Sequence, residues 1–312
     1  MTHRLIFFGS GAFGLPALEQ LHHLPDGQVV GVVTQPAKPT GRGQPVKPTI
    51  IATWAGHHKL SVLAPESLKV PTMVEELQRL QADTFVVAAY GLILPLAVLQ
   101  VPLYGSINVH ASLLPKYRGA SPIAAAIVAG ERETGISFML MDEHLDTGPV
   151  LRTVVTPISK SDTSEVLQAQ LARLAAENLP TVLDDWWAGR IHPTPQSGPS
   201  SYAPKVLKSD GYANWQSGKI LERKIRAYIP WPVTWTTWQG TNIKILAASF
   251  IPGQPSSPQG TIEVPEPNQD WAVACGDGWI IPHQVQFAGK RRQSAATIPG
   301  SYPGLIGSRL PS

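Results

Sequence analysis

Asn108 and His110 stand two residues apart near the end of an apolar run, "GSINVHAS" (105–112). Side chains at i and i+2 of a strand point to the same face. A primary amide and an imidazole would therefore share one face at the C-terminal end of a strand, where open α/β sheets place their sites. A neutral imidazole can accept a proton from a nucleophile near pH 7. An amide can donate a hydrogen bond to a developing oxyanion. Together the two suit acyl transfer. Asp146, in the turn "LDTGPVL" (145–151), is a carboxylate able to hydrogen-bond the imidazole and orient it. Taken singly, Asn-x-His also fits a plain strand end, and Asp-Thr-Gly an ordinary turn. Asp-Thr-Gly marks aspartic proteases too, but those need two such aspartates and this chain has one copy.

Strands and helices must position these groups. "RLIFFG" (4–9), "QVVGVVTQ" (28–35), a short piece near 61–63, "TFVVAAYG" (84–91) and "GSINVHAS" read as strands. The continuous apolar run of the second is what a parallel sheet covered on both faces requires. "FGLPALEQL" (13–21), "PTMVEELQRL" (71–80) and "ASPIAAAIVAG" (120–130) read as helices between them. "GISFMLM" and "VLRTVVTPI" read as further strands, and 163–188 as a long amphipathic helix. The alternation predicts an α/β, Rossmann-like domain whose sheet is mostly parallel at first. After about residue 190 the pattern changes. "HPTPQSGPSSYAPK" (192–205) is rich in Pro and Ser and reads as a linker. Short segments punctuated by turns follow, such as "VTWTTWQG" and "NIKILAASF", and predict a small antiparallel β-barrel. The expected organisation is a catalytic domain over 1–190, a linker over 191–207 and a barrel over 208–312. Trp231, Trp235 and Trp238 are expected to fill the barrel core or its seam with the first domain rather than to stack on bases.

Composition sets the outer limits. The 312 residues suggest about two domains. With 43% hydrophobic and 15% charged residues, the chain can bury a sizeable core. A single cysteine, Cys275, excludes an internal disulfide or a cysteine metal site and reads as a semi-buried strand thiol. The N-terminal apolar run is too short for a signal peptide, and no run reaches the ~18 residues of a membrane span. A cytoplasmic, monomeric enzyme is expected. Charge is uneven. Residues 1–205 carry 15 Lys and Arg against 16 Asp and Glu, whereas 206–312 carry 10 against 6. A basic C-terminal third suggests a polyanionic partner, because clustered Lys and Arg attract phosphate.

"GSGAFG" (9–14) has the spacing of a dinucleotide-binding turn. No acidic residue lies between Asp26 and Glu66 to hold a ribose, so the glycines read as a tight strand-to-helix turn.

"GSINVHASLLPKYRGASPI" together with "MDEHLDTGPVL" resembles the folate-dependent formyltransferases. The resemblance covers nearly the whole chain. It includes "FFGSGAFGLPALEQL", "TQPAKPTGRGQPVKP", "SYAPKVLKSDGYANWQSGKILERKIRAYIPWP" and "GKRRQSA". It is similar in particular to the members that formylate initiator methionyl-tRNA. It implies that 10-formyltetrahydrofolate donates a formyl group to the α-amine of methionine on initiator tRNA, with no metal. It implies that Asn108, His110 and Asp146 are catalytic. It implies that Ser112, Leu113, Leu114 and Pro115, with Tyr90, Gly91 and Leu92, line the folate site. It also implies tRNA contact by the loop 37–49, with Lys38, Arg42 and Lys47. In the C-terminal region, Lys219, Arg223, Lys224 and Arg226 would contact tRNA, followed by Lys290, Arg291 and Arg292. In a helix, Lys219, Arg223 and Arg226 would share a face. Two positions depart from the pattern. His144 stands where glycine is common, and Lys38 where arginine is, which keeps charge but loses the planar fork. The alternatives are a formyltransferase acting on a small amine such as an amino-sugar nucleotide, an NAD(P)-linked dehydrogenase, and a non-catalytic tRNA-binding module.

Overall fold

The computed structural model describes residues 2–39, 43, 45–265 and 270–311. Arg42 lies outside them. The chain divides into two compact units. The first comprises Met1–Pro122, Glu133–Pro157 and Gln168–Ala203; the second comprises Ile123–Arg132, Ile158–Leu167 and Pro204–Ser312.

The chain opens with β1 (His3–Gly9), α1 (Leu15–His22) and β2 (Gly27–Val33). A two-stranded ribbon follows, β3 (Lys38–Pro39) against β4 (Val46–Lys47). Next come α2 (Ile50–His57), β5 (Val62–Leu63), α3 (Pro71–Arg79), β6 (Thr84–Ala88), α4 (Leu96–Leu99) and β7 (Ser106–His110). Then come β8 (Arg118–Gly119), α5 (Pro122–Ala129), β9 (Glu133–Leu140), β10 (Val150–Pro157), α6 (Ser164–Trp187) and β11 (Tyr202–Ala203). Seven strands make the main sheet in the order β10-β9-β7-β6-β1-β2-β5. The pairs from β5 to β7 are parallel. β9 and β10 add on antiparallel. All five residues of β6 are buried, as its uninterrupted "TFVVA" requires. β10, at the edge, alternates buried or half-buried with exposed positions over much of its length. Chain order reverses direction at β1 and β6, so the sheet has its switch point there, one strand from β7.

α2 has no counterpart in the expected helices. Thr49 caps it, its hydroxyl accepting from the Ala52 N–H, and Ile51 and Ala55 are its buried face. α1 and α2 both end in histidine pairs. The His22 ring meets those of His23, His58 and Trp54 edge-on. Burial, then the charges of His23 and His58, lower the pKa of His22.

The second unit continues with α7 (Gly218–Ala227), β12 (Thr234–Trp238), β13 (Thr241–Pro252), β14 (Ile262–Glu263), β15 (Ala272–Cys275), β16 (Gly278–Phe287), β17 (Gln293–Ser294) and α8 (Ile298–Ser301). The strands pair antiparallel in the order β12-β13-β16-β15-β14, with β17 on β16. One core joins Trp215, Leu221, Ile225, Ile245, Val273, Ile280 and Phe287. Trp238 packs against that core. Trp235 is half-buried beside Tyr212. Trp231 departs from expectation: it is 55% exposed and does not fill the core. Cys275 is buried, and burial followed by the nearby Asp277 charge pushes its thiol up to about 12.

Asp277 closes the N-terminus of α7. Its carboxylate accepts from Ser217 Oγ at 2.7 Å and from the Gly218 N–H at 2.6 Å. Burial alone would raise this carboxyl. The hydrogen bonds, led by Ser217, outweigh it and hold the pKa below the usual 3.8. A carboxyl held low in the fold stabilises it above the unfolded value, and that contribution fades as pH falls through the folded one. Asp277→Ala should therefore cost about 1 kcal/mol at pH 7. Urea melts from pH 7 downward should show the gap between variant and wild type closing below pH 3.8.

Candidate active site

β7 ends between β6 and β9, with His110 in register with Ser137 of β9. Asn108 is half-buried and His110 is 6% exposed. Both project from one strand at a spacing of two, so they share a face. Asp146 is brought to them from the turn between β9 and β10. Its Oδ1 accepts from Asn108 Nδ2 at 3.3 Å, and its Oδ2 from the Gly119 N–H at 2.8 Å. His110 Nδ1 lies 3.6 Å from Asp146 Oδ2, with both side chains at or below 10% exposure. That is an ion-pair distance rather than a hydrogen bond. The hydrogen bond of the ring is to the Tyr117 carbonyl, 2.9 Å from Nε2. Both ring nitrogens thus face acceptor oxygens, and a neutral imidazole can donate to only one.

Strain and close packing hold this turn. Asp146 has φ +54, a left-handed conformation that costs a non-glycine residue of order 1 kcal/mol or more. Gly148 is pressed against the Leu140 carbonyl so closely that a Cβ would overlap it. The glycine of "DTG" is thus a packing requirement. His144, exposed at the turn's edge, donates its N–H to Asp142 Oδ1.

The loop after β7 is stapled to the sheet. Ser112 Oγ donates to the Lys116 carbonyl, and the Ser112 carbonyl accepts from Ser137 Oγ. The Leu114 N–H donates to Ser137 Oγ. Leu113, Leu114 and Pro115 are half-buried. At the switch point, the N–H groups of Ser10 and Gly11 donate to the Ala89 carbonyl. Gly9 and Gly14 sit where a Cβ would come 2.9 and 2.8 Å from the Ala88 carbonyl oxygen, so these two of the three glycines of "GSGAFG" serve a tight turn. Tyr90 places its side chain in the core beside Phe8, and its backbone carbonyl accepts from Ser10 Oγ and Gln35 Nε2. Its hydroxyl is buried without a partner among the described residues, and burial pushes it up to about 12. Gly91 is exposed and Leu92 half-buried.

The basic residues divide by environment. Lys38 and Lys47 are exposed and face each other across the β3–β4 ribbon, with Lys38 bonded to Gln35. Lys219, Lys290, Arg291 and Arg292 are exposed, and Lys224 is half-buried. Arg223 donates to the Ala129 carbonyl and lies over Gly130, capping α5. Arg226 pairs with Glu222 at 2.6 Å and donates to the Asp162 carbonyl. These two arginines are engaged inside their own unit. Among the described residues, no group of three or more His, Cys, Asp and Glu could hold a metal ion. Nor is any helix there long and apolar enough to cross a membrane.

Gln196 was not among the residues expected at the site. It lies in the stretch read as a linker, yet it is hydrogen-bonded to both Asp146 and Gly148. Neighbouring residues of that stretch are fastened too. Thr194 bridges Val150, and β11 pairs in parallel with β8. The weak signal was a glutamine following two prolines, "HPTPQ".

Residues 3–183 match the formyl transferase family, and 205–302 match the formyl transferase C-terminal domain. Among curated relatives, the methionyl-tRNA formyltransferase of Trichlorobacter lovleyi is 40% identical over 98% of this chain and 96% of its own. That of Methylococcus capsulatus is 41% identical over 98% and 99%. Among solved structures, an N-formyltransferase from Helicobacter canadensis, crystallised with folinic acid and dTDP-3-aminofucose, superposes with a TM-score of 0.63. It is 17% identical and covers 93% of this chain and all of its own, a likeness of fold. The chain belongs to the formyl transferase family.

The packing of Gly148 makes a direct test possible. Gly148→Ala must push the Asp146 turn away from Leu140, at a cost of about 1–3 kcal/mol. Thermal melting should show that loss. A formyl-transfer assay should fall with it, because the carboxylate moves from Asn108. Wild-type values in both would show that the turn has slack.

Proposed function

We propose that this chain transfers the formyl group of 10-formyltetrahydrofolate to the α-amine of methionine esterified to initiator tRNA. The observation that carries this reading is the convergence of Asn108, His110 and Asp146 at the end of β7. Full-length relatives with that substrate in their name support it. The residues fit a formyl donor. Asn108 spends one amide hydrogen on Asp146, and the second has no protein acceptor among the described residues. That second hydrogen is available to an oxyanion.

The chemistry divides among the three side chains. Asn108 donates to the oxyanion that forms when the amine nitrogen bonds to the formyl carbon. His110 exchanges the Tyr117 carbonyl for substrate and carries the proton lost by the amine to N10 of the folate. The bond from the formyl carbon to N10 breaks, and tetrahydrofolate leaves. Asp146 holds Asn108 in position and faces the His110 ring as its charge changes. Ser112 to Pro115, with the carbonyl of Tyr90, Gly91 and Leu92, form the proposed folate-side wall. Lys38, Arg42, Lys47, Lys219, Lys224, Lys290, Arg291 and Arg292 are the proposed tRNA contacts. Arg223 and Arg226, also expected among the contacts, are engaged within the second unit. The proposed domains are a catalytic one over 1–190 and a tRNA-binding one over 208–312. The chain is expected to act as a cytoplasmic monomer.

Transfer of labelled formyl to charged initiator tRNA tests the reading. Asn108→Ala and His110→Ala should each lower the rate by about 10²–10³. Near-wild-type turnover in both would remove them from the chemistry, and transfer to an amino-sugar nucleotide alone would reassign the acceptor. Binding of tRNA should weaken steeply with salt. Neutralising Lys290, Arg291 and Arg292 together should lower the salt slope by about one for each phosphate they neutralise. Arg223→Ala should lower the melting temperature while leaving that slope unchanged.

A further inference from the structure

The amide of Gln196 is saturated. Nε2 donates to the Asp146 carbonyl at 2.8 Å and to the Gly148 carbonyl at 2.8 Å. Oε1 accepts from Arg118 Nε at 3.1 Å and Nη2 at 2.6 Å. A primary amide has two N–H donors and two acceptor lone pairs, so all four are in use. The orientation is unique, since a flipped amide would set NH₂ against guanidinium and oxygen against two carbonyls. The two sides that Gln196 joins are the two that converge on the Asp146 carboxylate. One is the left-handed turn carrying Asp146 itself. The other is Arg118, whose neighbour Gly119 donates its N–H to Asp146 Oδ2. A few residues on, Ser201 Oγ accepts from the Tyr117 N–H, and the Tyr117 carbonyl faces His110. One stretch of chain, 194–203, therefore buttresses the aspartate and the histidine from behind.

We propose that Gln196 is a positioning residue for formyl transfer, holding Asp146 in its left-handed conformation so that the carboxylate meets Asn108 and faces His110. The inference rests on the roles given above to Asn108, His110 and Asp146. Gln196 touches no reacting atom. Its donors replace the water that a strained surface turn would otherwise recruit, and its acceptor ties that turn to β8.

Two variants test it. Gln196→Glu keeps the acceptor for Arg118 and removes both donors, setting a carboxylate against two carbonyls. Gln196→Met removes all four bonds at similar size. Both are read in the full-length chain by formyl transfer at saturating and limiting substrate, and by amide hydrogen exchange of residues 142–149 without substrate. Gln196→Glu should lower kcat by about 10²-fold, the order expected of an ångström-scale misplacement. KM for both substrates should stay close to wild type, and exchange in 142–149 should quicken while the rest of the sheet holds. Gln196→Met should behave alike, and either variant carries the test if the other does not fold. Faster exchange with kcat unchanged would overturn the proposal and leave Gln196 a purely structural clamp. Unchanged exchange would overturn it as well. If the wild-type chain transfers no formyl group, the functional reading fails, and the exchange measurement still reports on the clamp.

Discussion

Asp146 is the one group on which the site's geometry depends. A carboxylate is acceptor-only, with two oxygens that can serve separate donors. Here one oxygen takes the Asn108 amide and the other the Gly119 N–H, while the same edge faces His110. An amide in its place would turn a donor toward one of those N–H groups. The rest of the first unit reads as support for that carboxylate. β7 delivers the two polar side chains from inside the sheet. Gly148 lets the turn lie against Leu140, and Ser137 pins the following loop.

The second unit applies charge differently from the way its composition suggests. Two arginines on α7 are committed to a helix end, a glutamate and a backbone carbonyl. Asp277 meets the start of the same helix. The cations left facing solvent include Lys219 and the run Lys290 to Arg292. A basic excess thus contains side chains engaged within the unit and side chains open to solvent, and only geometry separates them.

Period-two spacing made Asn108 and His110 legible, because a strand's pleat leaves no freedom about which side chains share a face. The parallel sheet was legible for a similar reason, in the continuous apolar run of "QVVGVVTQ" and its alternation with helices. Asp146 was legible through its turn motif, but its partners were not. The expected bond to the imidazole is an ion-pair distance, and its hydrogen bonds go to Asn108 and Gly119. Gln196 was hidden because nothing local distinguishes a glutamine latched across the fold from one in a solvated linker. Tyr90 shows the same limit: a tyrosine beside a strand end turned inward, while its carbonyl accepts from Ser10 Oγ and Gln35 Nε2. α2 was missed because its short apolar stretch lacks a strong helical period, and its Thr49 cap is a subtle signal. Trp231 was misplaced because exposure of an aromatic is set by the path of the chain around it.

In the proposed reaction the Asp146 carboxylate, with both oxygens engaged, aligns the oxyanion donor Asn108 with the proton carrier His110. Asp146→Asn changes the shape of that group least and its bonding most. Single-turnover transfer of labelled formyl from 10-formyltetrahydrofolate to charged initiator tRNA measures the chemical step alone. The rate should fall by about 10²-fold or more, with the variant still folded and still binding tRNA. A single-turnover rate equal to wild type would contradict it.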